Sequence, residues 1–470
     1  MKSIITSFIG AVILSCIFNL NSQEFSYTLI NGSTVTEECG ICERPTIPLP
    51  IRGNFVINIT NQTTIGTRFE IKQINFYVGN ENDPDISING NGYGEIFGEV
   101  AQQVRVNLFL TISKKYGTNR FLIFTNLSNN PTLALPMVQC ELVQTEDDIF
   151  QFYTINIIAA PFNEIWFSTE NKFTPDNLQF IGTPADILST SGRRIKSKAE
   201  LINNLNIKDP PDNLSIDSIE VSTNGLILFS LNQSVLSDTI GLIGEGDVVS
   251  ENGQIIFRNA MLLNKFGFMP PTPALGLDAL QILNNQEVLF STRSDEFSEF
   301  IGEMIQNGDI LSSEGYIFKK NRDLLSMFKP SEPDKDYGLD AFYIWDNGDI
   351  WFSTTQGFTS QTLGTIYAGD LLCDKGYVVY KNLDLLSKFS PLEDLADFGL
   401  DAIFIITDLN VPVQPARITM WKIEDGSLTF KWQGEARIYR IEKADDILGP
   451  FIPIITTTAK EFNDQSTNNK

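Results

Sequence analysis

The residues in this chain that are best placed to do chemistry are two sets of aspartates that recur along its middle part. The first set is spaced by 61 or 62 residues and comprises Asp186, Asp247, Asp309 and Asp370. The second set has the same spacing and comprises Asp217, Asp278, Asp340 and Asp401. Carboxylate oxygens are the ligands that calcium prefers, and two carboxylates suffice for glycoside hydrolysis.

A structural role competes with both kinds of chemistry. An aspartate in a turn accepts backbone N–H bonds, and a serine hydroxyl closes hydrogen bonds between strands. Serines recur in phase with the aspartates at Ser168, Ser230, Ser291 and Ser353. Because a catalytic site is needed only once, we interpret the serines and the second aspartate set as structural and assign no catalytic residue. The first aspartate set is the candidate calcium site, and calcium is the one cofactor that the sequence suggests.

The composition excludes several mechanisms. The chain has 470 residues and no histidine, which excludes Ser-His-Asp triads, Cys-His dyads and His-ligated metals. The formal net charge is −24, and most of it falls within the repeated region. This charge argues against binding to nucleic acid, which needs clustered Lys and Arg. The chain has no run of about 18 apolar residues, which is the length that a transmembrane helix requires.

The elements that position the repeated residues are short strands. In the fourth unit the strand-like runs are residues 341–345, 350–354, 370–373 and 377–381. We therefore expect an all-β fold in which residues 151–410 form a four-repeat, propeller-like array with units of about 61 residues. Five strand-like runs could serve as the first strand of a unit, although there are only four units. The first of these runs is 153–159 and the last is 402–407. The spare strand either closes a ring or belongs to an open array.

The fourth unit carries a family resemblance. Gly348-Asp349-Ile350-Trp351-Phe352-Ser353-Thr354-Thr355-Gln356-Gly357 resembles the strand-turn segment of two-component-regulator-type propeller repeats. The whole unit resembles repeats in uncharacterised secreted bacterial proteins, in which a pattern of Leu-Asp-Ala, Phe-Ser-Thr and Gly-Asp recurs. The resemblance implies a propeller-like fold. It does not imply the sensing role of the regulators, because this unit is longer than theirs.

The flanks add an export signal and two further β domains. Residues 1–23 have the pattern of a signal peptide, with lipidation at Cys16 as the less favoured alternative. Residues 24–150 predict a β-sandwich-like or barrel-like domain with a turn at 89–92, where Asn and Gly alternate. Residues 411–470 hold a linker and a module similar to part of a fibronectin type III domain, with strands at 427–432, 437–443 and 451–456.

The cysteines fit an oxidising compartment. Cys39 and Cys42 form a CxxC motif surrounded by glutamates, and neither a second CxxC nor a histidine completes a zinc site. We expect a local or nearby structural disulfide, with Cys140 as an alternative partner. Cys373 lies in a predicted strand and is expected to be a free buried thiol.

The sequence thus predicts an exported, non-catalytic binding or structural protein of the bacterial cell surface or exterior. Its expected partner is an extracellular protein or glycan, with calcium as the accompanying cation. The alternative is a carboxylate-based enzyme that acts on extracellular polysaccharide. The absence of histidine, together with polar residues used mainly in turns, favours the first interpretation.

Overall fold

The computed structural model describes residues 23–42, 45–63, 65–98, 103–130, 133, 136–268, 274–283, 286–409, 416–424, 427–434, 436–444 and 452–464. The predicted signal peptide and Cys16 lie outside the described residues. The described chain is all-β, apart from four helices of about one turn, and forms an N-terminal barrel, a ring of four sheets and a C-terminal module. The all-β, propeller-like fold expected from the repeats is confirmed.

The N-terminal strands form one antiparallel sheet that closes on itself. They are β1 Gln23–Leu29, β2 Thr34–Glu38, β3 Leu49–Pro50, β4 Arg52–Thr63, β5 Gly66–Asn80, β6 Asp83–Phe97, β7 Gln103–Lys114, β8 Arg120–Asn126, β9 Val138–Gln144 and β10 Phe152–Ala160. Strands β1 and β4 to β10 follow one another around the barrel. The short pairing of β10 with β1 closes it, while β2 and β3 extend the sheet from the first half of β10.

Alternation of apolar and polar residues builds the barrel core. In β5, Phe69 and Ile71 point inward, a register shift follows, and Ile74 and Phe76 resume the inward pattern. The turn predicted at 89–92 is wrong, because these residues lie inside β6. A side chain on Gly90 would meet the carbonyl oxygen of Phe109 on β7, so glycine here serves close strand packing rather than a turn.

Twenty-two strands build the ring. They are β11 Glu164–Ser168, β12 Ile187–Ser189, β13 Arg193–Lys196, β14 Ile216–Val221, β15 Ile227–Leu231, β16 Val235–Ser237, β17 Gly241–Ile243, β18 Val248–Ser250, β19 Gln254–Phe257, β20 Leu280–Ile282, β21 Val288–Phe290, β22 Glu296–Ser298, β23 Glu303–Ile305, β24 Ile310–Ser312, β25 Tyr316–Lys319, β26 Ala341–Ile344, β27 Ile350–Ser353, β28 Phe358–Ser360, β29 Gly364–Ile366, β30 Leu371–Cys373, β31 Tyr377–Tyr380 and β32 Ala402–Ile406.

Four of the sheets are blades of four antiparallel strands. Blade 1 is β32-β11-β12-β13, blade 2 is β14-β15-β18-β19, blade 3 is β20-β21-β24-β25 and blade 4 is β26-β27-β30-β31. The innermost strands β32, β14, β20 and β26 lie side by side in that order, and β26 returns to β32. The last strand therefore closes the ring by pairing with the first unit, whereas the run at 153–159 belongs to β10 of the barrel.

The two apolar residues before each repeated serine explain how the blades pack. Trp351 and Phe352 point to opposite faces of blade 4, and both are fully buried. Trp351 packs in the core shared with blade 1, and Phe352 packs in the core shared with blade 3. Between the second and third strands of the blade, units 2 to 4 each add a small hairpin, namely β16–β17, β22–β23 and β28–β29.

One short helix follows the last strand of each unit. The helices are α1 Lys198–Ile202, α2 Asn259–Leu262, α3 Asn321–Leu325 and α4 Asn382–Leu385, with 3₁₀ turns at Asn203–Leu205 and Ser326–Phe328. Three of the four begin with an asparagine that is buried. The side-chain amide of Asn321, for example, donates to the Gly338 carbonyl at 3.0 Å and ties the helix to the next inner strand.

The C-terminal module contains more strands than the sequence predicts. They are β33 Arg417–Glu424, β34 Ser427–Gln433, β35 Tyr439–Lys443, β36 Ile452–Thr457 and β37 Glu461–Asp464. Strands β33, β34 and β37 form one sheet, and β35 and β36 form a second. The first and last of the five were not expected. Phe430 and Trp432 form a small core with Tyr439 between the two sheets.

Candidate functional site

The second aspartate set converges at one end of the ring axis. Each of its members lies at, or within two residues of, the start of an innermost strand, and the strand that pairs with it ends at, or within one residue of, the repeated serine. Antiparallel pairing in the four blades therefore brings four aspartates, one from each blade, to the same end of the ring. The guanidinium of Arg293 joins two blades, because it lies 3.7 Å from Asp217 and 3.2 Å from Asp278.

A second, outer set of residues surrounds these aspartates. It occupies the position two residues after each repeated serine and comprises Glu170, Asn232, Arg293 and Thr355. Gly338, with φ of 72°, packs directly against Thr355, and Gly399 packs against Glu170 in the same way. The outer residues are exposed except for Asn232, which is half-buried. We call the four aspartates and these four residues the axial pocket.

The floor of the axial pocket is buried and its rim is open. Asp217, Asp278 and Asp340 are 3%, 8% and 5% exposed, and Asp401 is half-buried. Two of their oxygens, Oδ2 of Asp217 and Oδ2 of Asp340, receive no hydrogen bond from any donor in the described part of the chain. The other Asp340 oxygen accepts a bond from the Thr355 hydroxyl at 3.0 Å. Buried acceptors without donors are unusual and call for an explanation.

Burial and mutual repulsion raise the pKa values of these carboxyls. Burial raises the pKa of Asp217 to about 7 although Arg293 opposes the shift. Burial, with neighbouring carboxylates adding to it, raises the pKa values of Asp278, Asp340 and Asp401 well above their usual range. Desolvation raises the pKa of Glu170 too, and the nearby carboxylate of Asp397 adds to this effect. The pocket therefore takes up protons or another positive charge near neutral pH.

Positive charge is supplied on one side of the axial pocket only. Burial disfavours the charge of Arg293, but the carboxylates of Asp217 and Asp278 outweigh that effect and raise its pKa. In the described part of the chain, no Lys or Arg nitrogen lies within 4 Å of Asp340, Asp401 or Glu170. The guanidinium thus occupies one half of a site whose other half is acidic and unpaired.

The first aspartate set does not meet at the axis. Each member accepts two backbone N–H bonds within its own unit, one from three residues upstream and one from the start of the short helix. For Asp370 these donors are Tyr367 at 3.1 Å and Asn382 at 3.0 Å. Lys381 adds an ion pair at 2.8 Å. Calcium at Asp186, Asp247, Asp309 and Asp370 stays a prediction, and these contacts are those of a turn residue.

Three of the repeated serines link one blade to the next. Ser230, Ser291 and Ser353 donate to the carbonyls of Leu277, Leu339 and Leu400, which immediately precede the axial aspartates of the following blade. The hydroxyl of Ser168 has no such partner within the described residues. These bonds position Asp278, Asp340 and Asp401 in the axial pocket.

The opposite end of the ring holds a second buried carboxyl. Glu220, 4% exposed, accepts N–H bonds from Val221 at 2.8 Å and Ile282 at 2.9 Å. Burial raises its pKa to about 7, although Arg437 of the C-terminal module lies 3.7 Å away and opposes this. Arg437 also donates to the Val221 carbonyl at 3.2 Å. This end is therefore covered by the C-terminal module, and the axial pocket is at the open end.

The structure can be compared with the expectations for the cysteines, for metal ligands and for membrane-spanning helices. Cys39 and Cys42 form a disulfide, while Cys140 and Cys373 are free thiols. Over the described ranges, no group of three or more Asp, Glu, Cys or His side chains is arranged to ligate a metal ion. Over the same residues, no helix is both long and apolar enough to cross a membrane.

The axial pocket is not predicted by the repeat pattern. The pattern identifies the inner aspartates as a repeated set but does not place them together, and it does not single out Glu170, Asn232, Arg293 and Thr355. A signal for the outer residues was available. The position two residues after each repeated serine holds a different residue in every unit, whereas the serine and the aspartate do not vary.

Comparisons with known proteins give no family. No family model matches the chain, and no curated protein matches it. The chain is similar to two solved structures of the extracellular domain of BT4673 from B. thetaiotaomicron, described as a "putative one component system" and a "putative hybrid two component system". Identity is 8% in both, 93% of this chain is covered together with 80% and 81% of those chains, and the TM-scores are 0.19 and 0.20. So low a score carries no argument about this chain.

Proposed function

We propose that this chain is an exported, non-catalytic binding protein whose axial pocket receives a cationic group of its ligand. One observation carries the proposal: four aspartates from four blades, three of them buried and one half-buried, meet beneath an open rim with the guanidinium of Arg293 among them. The rim residues differ from blade to blade, as expected for a surface that recognises an asymmetric ligand. Buried carboxylates need a positive partner or a proton, and the exposed rim gives a ligand access to them.

Arg293 shows what kind of group the pocket accepts. Its guanidinium lies between Asp217 and Asp278, 3.7 Å and 3.2 Å from their respective oxygens. Asp340, Asp401 and Glu170 offer a comparable acidic setting without a basic side chain. A lysine or arginine of an extracellular protein partner would supply the missing charge through its ammonium or guanidinium group.

Calcium is the second cation to be considered. The sequence suggests it at the first aspartate set, where both carboxylate oxygens are already engaged by backbone donors. The axial carboxylates, two of which have an oxygen without a donor, are the better candidates for it. Calcium binding there would require the carboxylates to approach one another more closely than they do in this structure.

The test is calorimetric titration of the full chain with agmatine, which carries both a guanidinium and an ammonium group, and separately with calcium chloride. We expect saturable binding of at least one, weakened tenfold or more in Asp340→Asn. The matched control is Asp346→Asn, which replaces an exposed aspartate near the other end of the same strand. Absence of binding by both probes, or equal binding by the two variants, contradicts the proposal. Polysaccharide cleavage that depends on Asp340 would instead establish the enzyme alternative.

A further inference from the structure

The N-terminal barrel encloses a cavity of about 310 Å³. Its wall is made of inward-pointing aromatic and aliphatic side chains, among them Phe55, Phe69 and Phe76. None of the described residues that line it is Asp, Glu, Lys or Arg. An eight-stranded barrel has an interior that side chains just fill or that holds one small ligand. Small-molecule pockets begin at about 300 Å³ and are mostly apolar with a few polar groups.

The cavity occupies only one half of the barrel. In the other half, Ile88, Leu110 and Phe124 are fully buried, belong to the same core and do not line the cavity. The same strands with the same alternation build both halves, so barrel width alone does not explain the void. The side chains around a void lose dispersion contacts that an apolar occupant would restore.

Polar groups stand at one edge of the cavity. Gln62 and Thr67 face each other as a cross-strand pair of β4 and β5, near the tip of that hairpin. Gln62 is exposed and Thr67 is half-buried. Neither side chain has a hydrogen-bond partner in the part of the chain that the structure describes. They are placed to bind one polar group of a ligand whose remaining surface is apolar.

The cavity reaches the junction between the barrel and the ring. Met137, 1% exposed, lines it and also belongs to the core that the barrel shares with blades 1 and 4. Leu133 and Leu409 line the cavity and pack against the same core, and Leu409 follows the strand that closes the ring. An occupant would therefore contact the barrel and the ring-closing segment together.

We propose that the barrel binds one uncharged, largely apolar small molecule, whose single polar group lies at Gln62 and Thr67. This site is separate from the axial pocket and does not depend on the function proposed there. The absence of charged lining residues excludes a carboxylate or ammonium group from the interior, since a buried charge without a partner is strongly unfavourable.

The test uses the full chain and N-phenyl-1-naphthylamine, an uncharged apolar fluorophore. We expect saturable fluorescence enhancement at one site per chain and displacement by 1-decanol. Val106→Phe and Cys140→Phe place a ring in the cavity and should each weaken binding at least tenfold. Leu127→Phe, at a residue that is 63% exposed and outside the cavity lining, is the matched control and should bind as the parent does. Unsaturable enhancement, or equal binding by all three variants, overturns the proposal.

A second readout keeps the proposal testable if the filled variants fail to fold. Cys140 lies in the cavity wall, whereas Cys373 is fully buried in blade 4. In the parent chain, saturating fluorophore should slow the reaction of Cys140 with methyl methanethiosulfonate at least tenfold and leave the rate at Cys373 unchanged. Mass spectrometry of the labelled peptides measures both rates. An unchanged rate at Cys140 contradicts binding inside the barrel.

Discussion

Replacing Arg293 by glutamine should destabilise the ring in a strongly pH-dependent manner. The change removes a guanidinium that lies within 4 Å of both Asp217 and Asp278. Coulomb's law with an effective dielectric constant of about 20 gives roughly 4 kcal/mol for charges 3.7 Å apart. The Arg293 side chain is 40% exposed, so solvent screening reduces this value, and we expect a net loss of about 2 kcal/mol in the free energy of unfolding.

The sign follows from the raised pKa of Asp217. At pH 8.5 this carboxyl is ionised and attracts Arg293, so the substitution removes a favourable pair. At pH 5 it is protonated, because burial raises its pKa to about 7, and the same substitution should cost well under 1 kcal/mol. Glu245 also influences Asp217 and acts in the same direction as burial. In the parent chain, the unfolded state releases the Asp217 proton from about pH 4 whereas the folded state keeps it until about pH 7, so the free energy of unfolding falls as the pH rises between these values.

The assay is urea unfolding at pH 5 and pH 8.5, followed by tryptophan fluorescence, since Trp166, Trp345 and Trp351 lie in the ring. Arg258→Gln is the matched control, because Arg258 is 44% exposed and pairs at 2.6 Å with Asp247, which keeps its backbone donors. It should cost the same at both pH values. Equal losses for Arg293→Gln at both pH values, or a larger loss at pH 5, would refute the reasoning.

Three further outcomes are expected from the same structure. Asp401→Asn should raise the melting temperature at pH 8 but not at pH 4. The raised pKa of Asp401 means that its ionisation opposes folding by about 1.4 kcal/mol per pKa unit, and asparagine does not ionise. A variant that melts at a lower temperature than the parent at pH 8 would contradict this prediction. Asp370→Asn should lower the free energy of unfolding by about 1 to 3 kcal/mol, because an amide cannot accept both backbone N–H bonds, from Tyr367 and from Asn382. Urea titration measures this loss. A variant as stable as the parent would be evidence against the turn role of Asp370. Arg437→Ala should release the C-terminal module faster in limited proteolysis and raise the pKa of Glu220 further; an unchanged cleavage rate would show that the contact does not hold the module.

Local pattern predicted the strands of the ring because each unit repeats the same apolar pairs and turns. The segments that contain the repeated serines form the second strands of their blades, and their apolar residues are buried on both faces. Ring closure by β32 was one of two alternatives that the sequence left open, since a spare strand does not identify its partner. The turn at 89–92 was wrong because glycine alone does not reveal whether it serves a positive φ or a close strand contact, as at Gly90.

The two candidate sites depend on closure of the ring and of the barrel, and the sequence therefore does not predict them. Asp217 and Asp401 are 184 residues apart and meet only because four blades close around one axis. The barrel cavity depends on the pairing of Thr28 with Ala160 and on which inward side chains fill the interior. Neither arrangement has a local signature. The non-repeating residues at the rim, such as Arg293, were the one clue in the sequence.

Proton release on cation binding decides whether a cationic group enters the axial pocket. Burial raises the pKa of Asp217 to about 7, so this carboxyl is partly protonated near neutral pH, and a bound cation would take the place of its proton. Titrating the full chain at pH 6.5 with agmatine and with calcium chloride, in buffers of different ionisation enthalpy, counts the protons released. We expect net release with at least one probe, reduced in Asp340→Asn and in Asp401→Asn. Cation binding that releases no protons and is unchanged in both variants would contradict the proposed function.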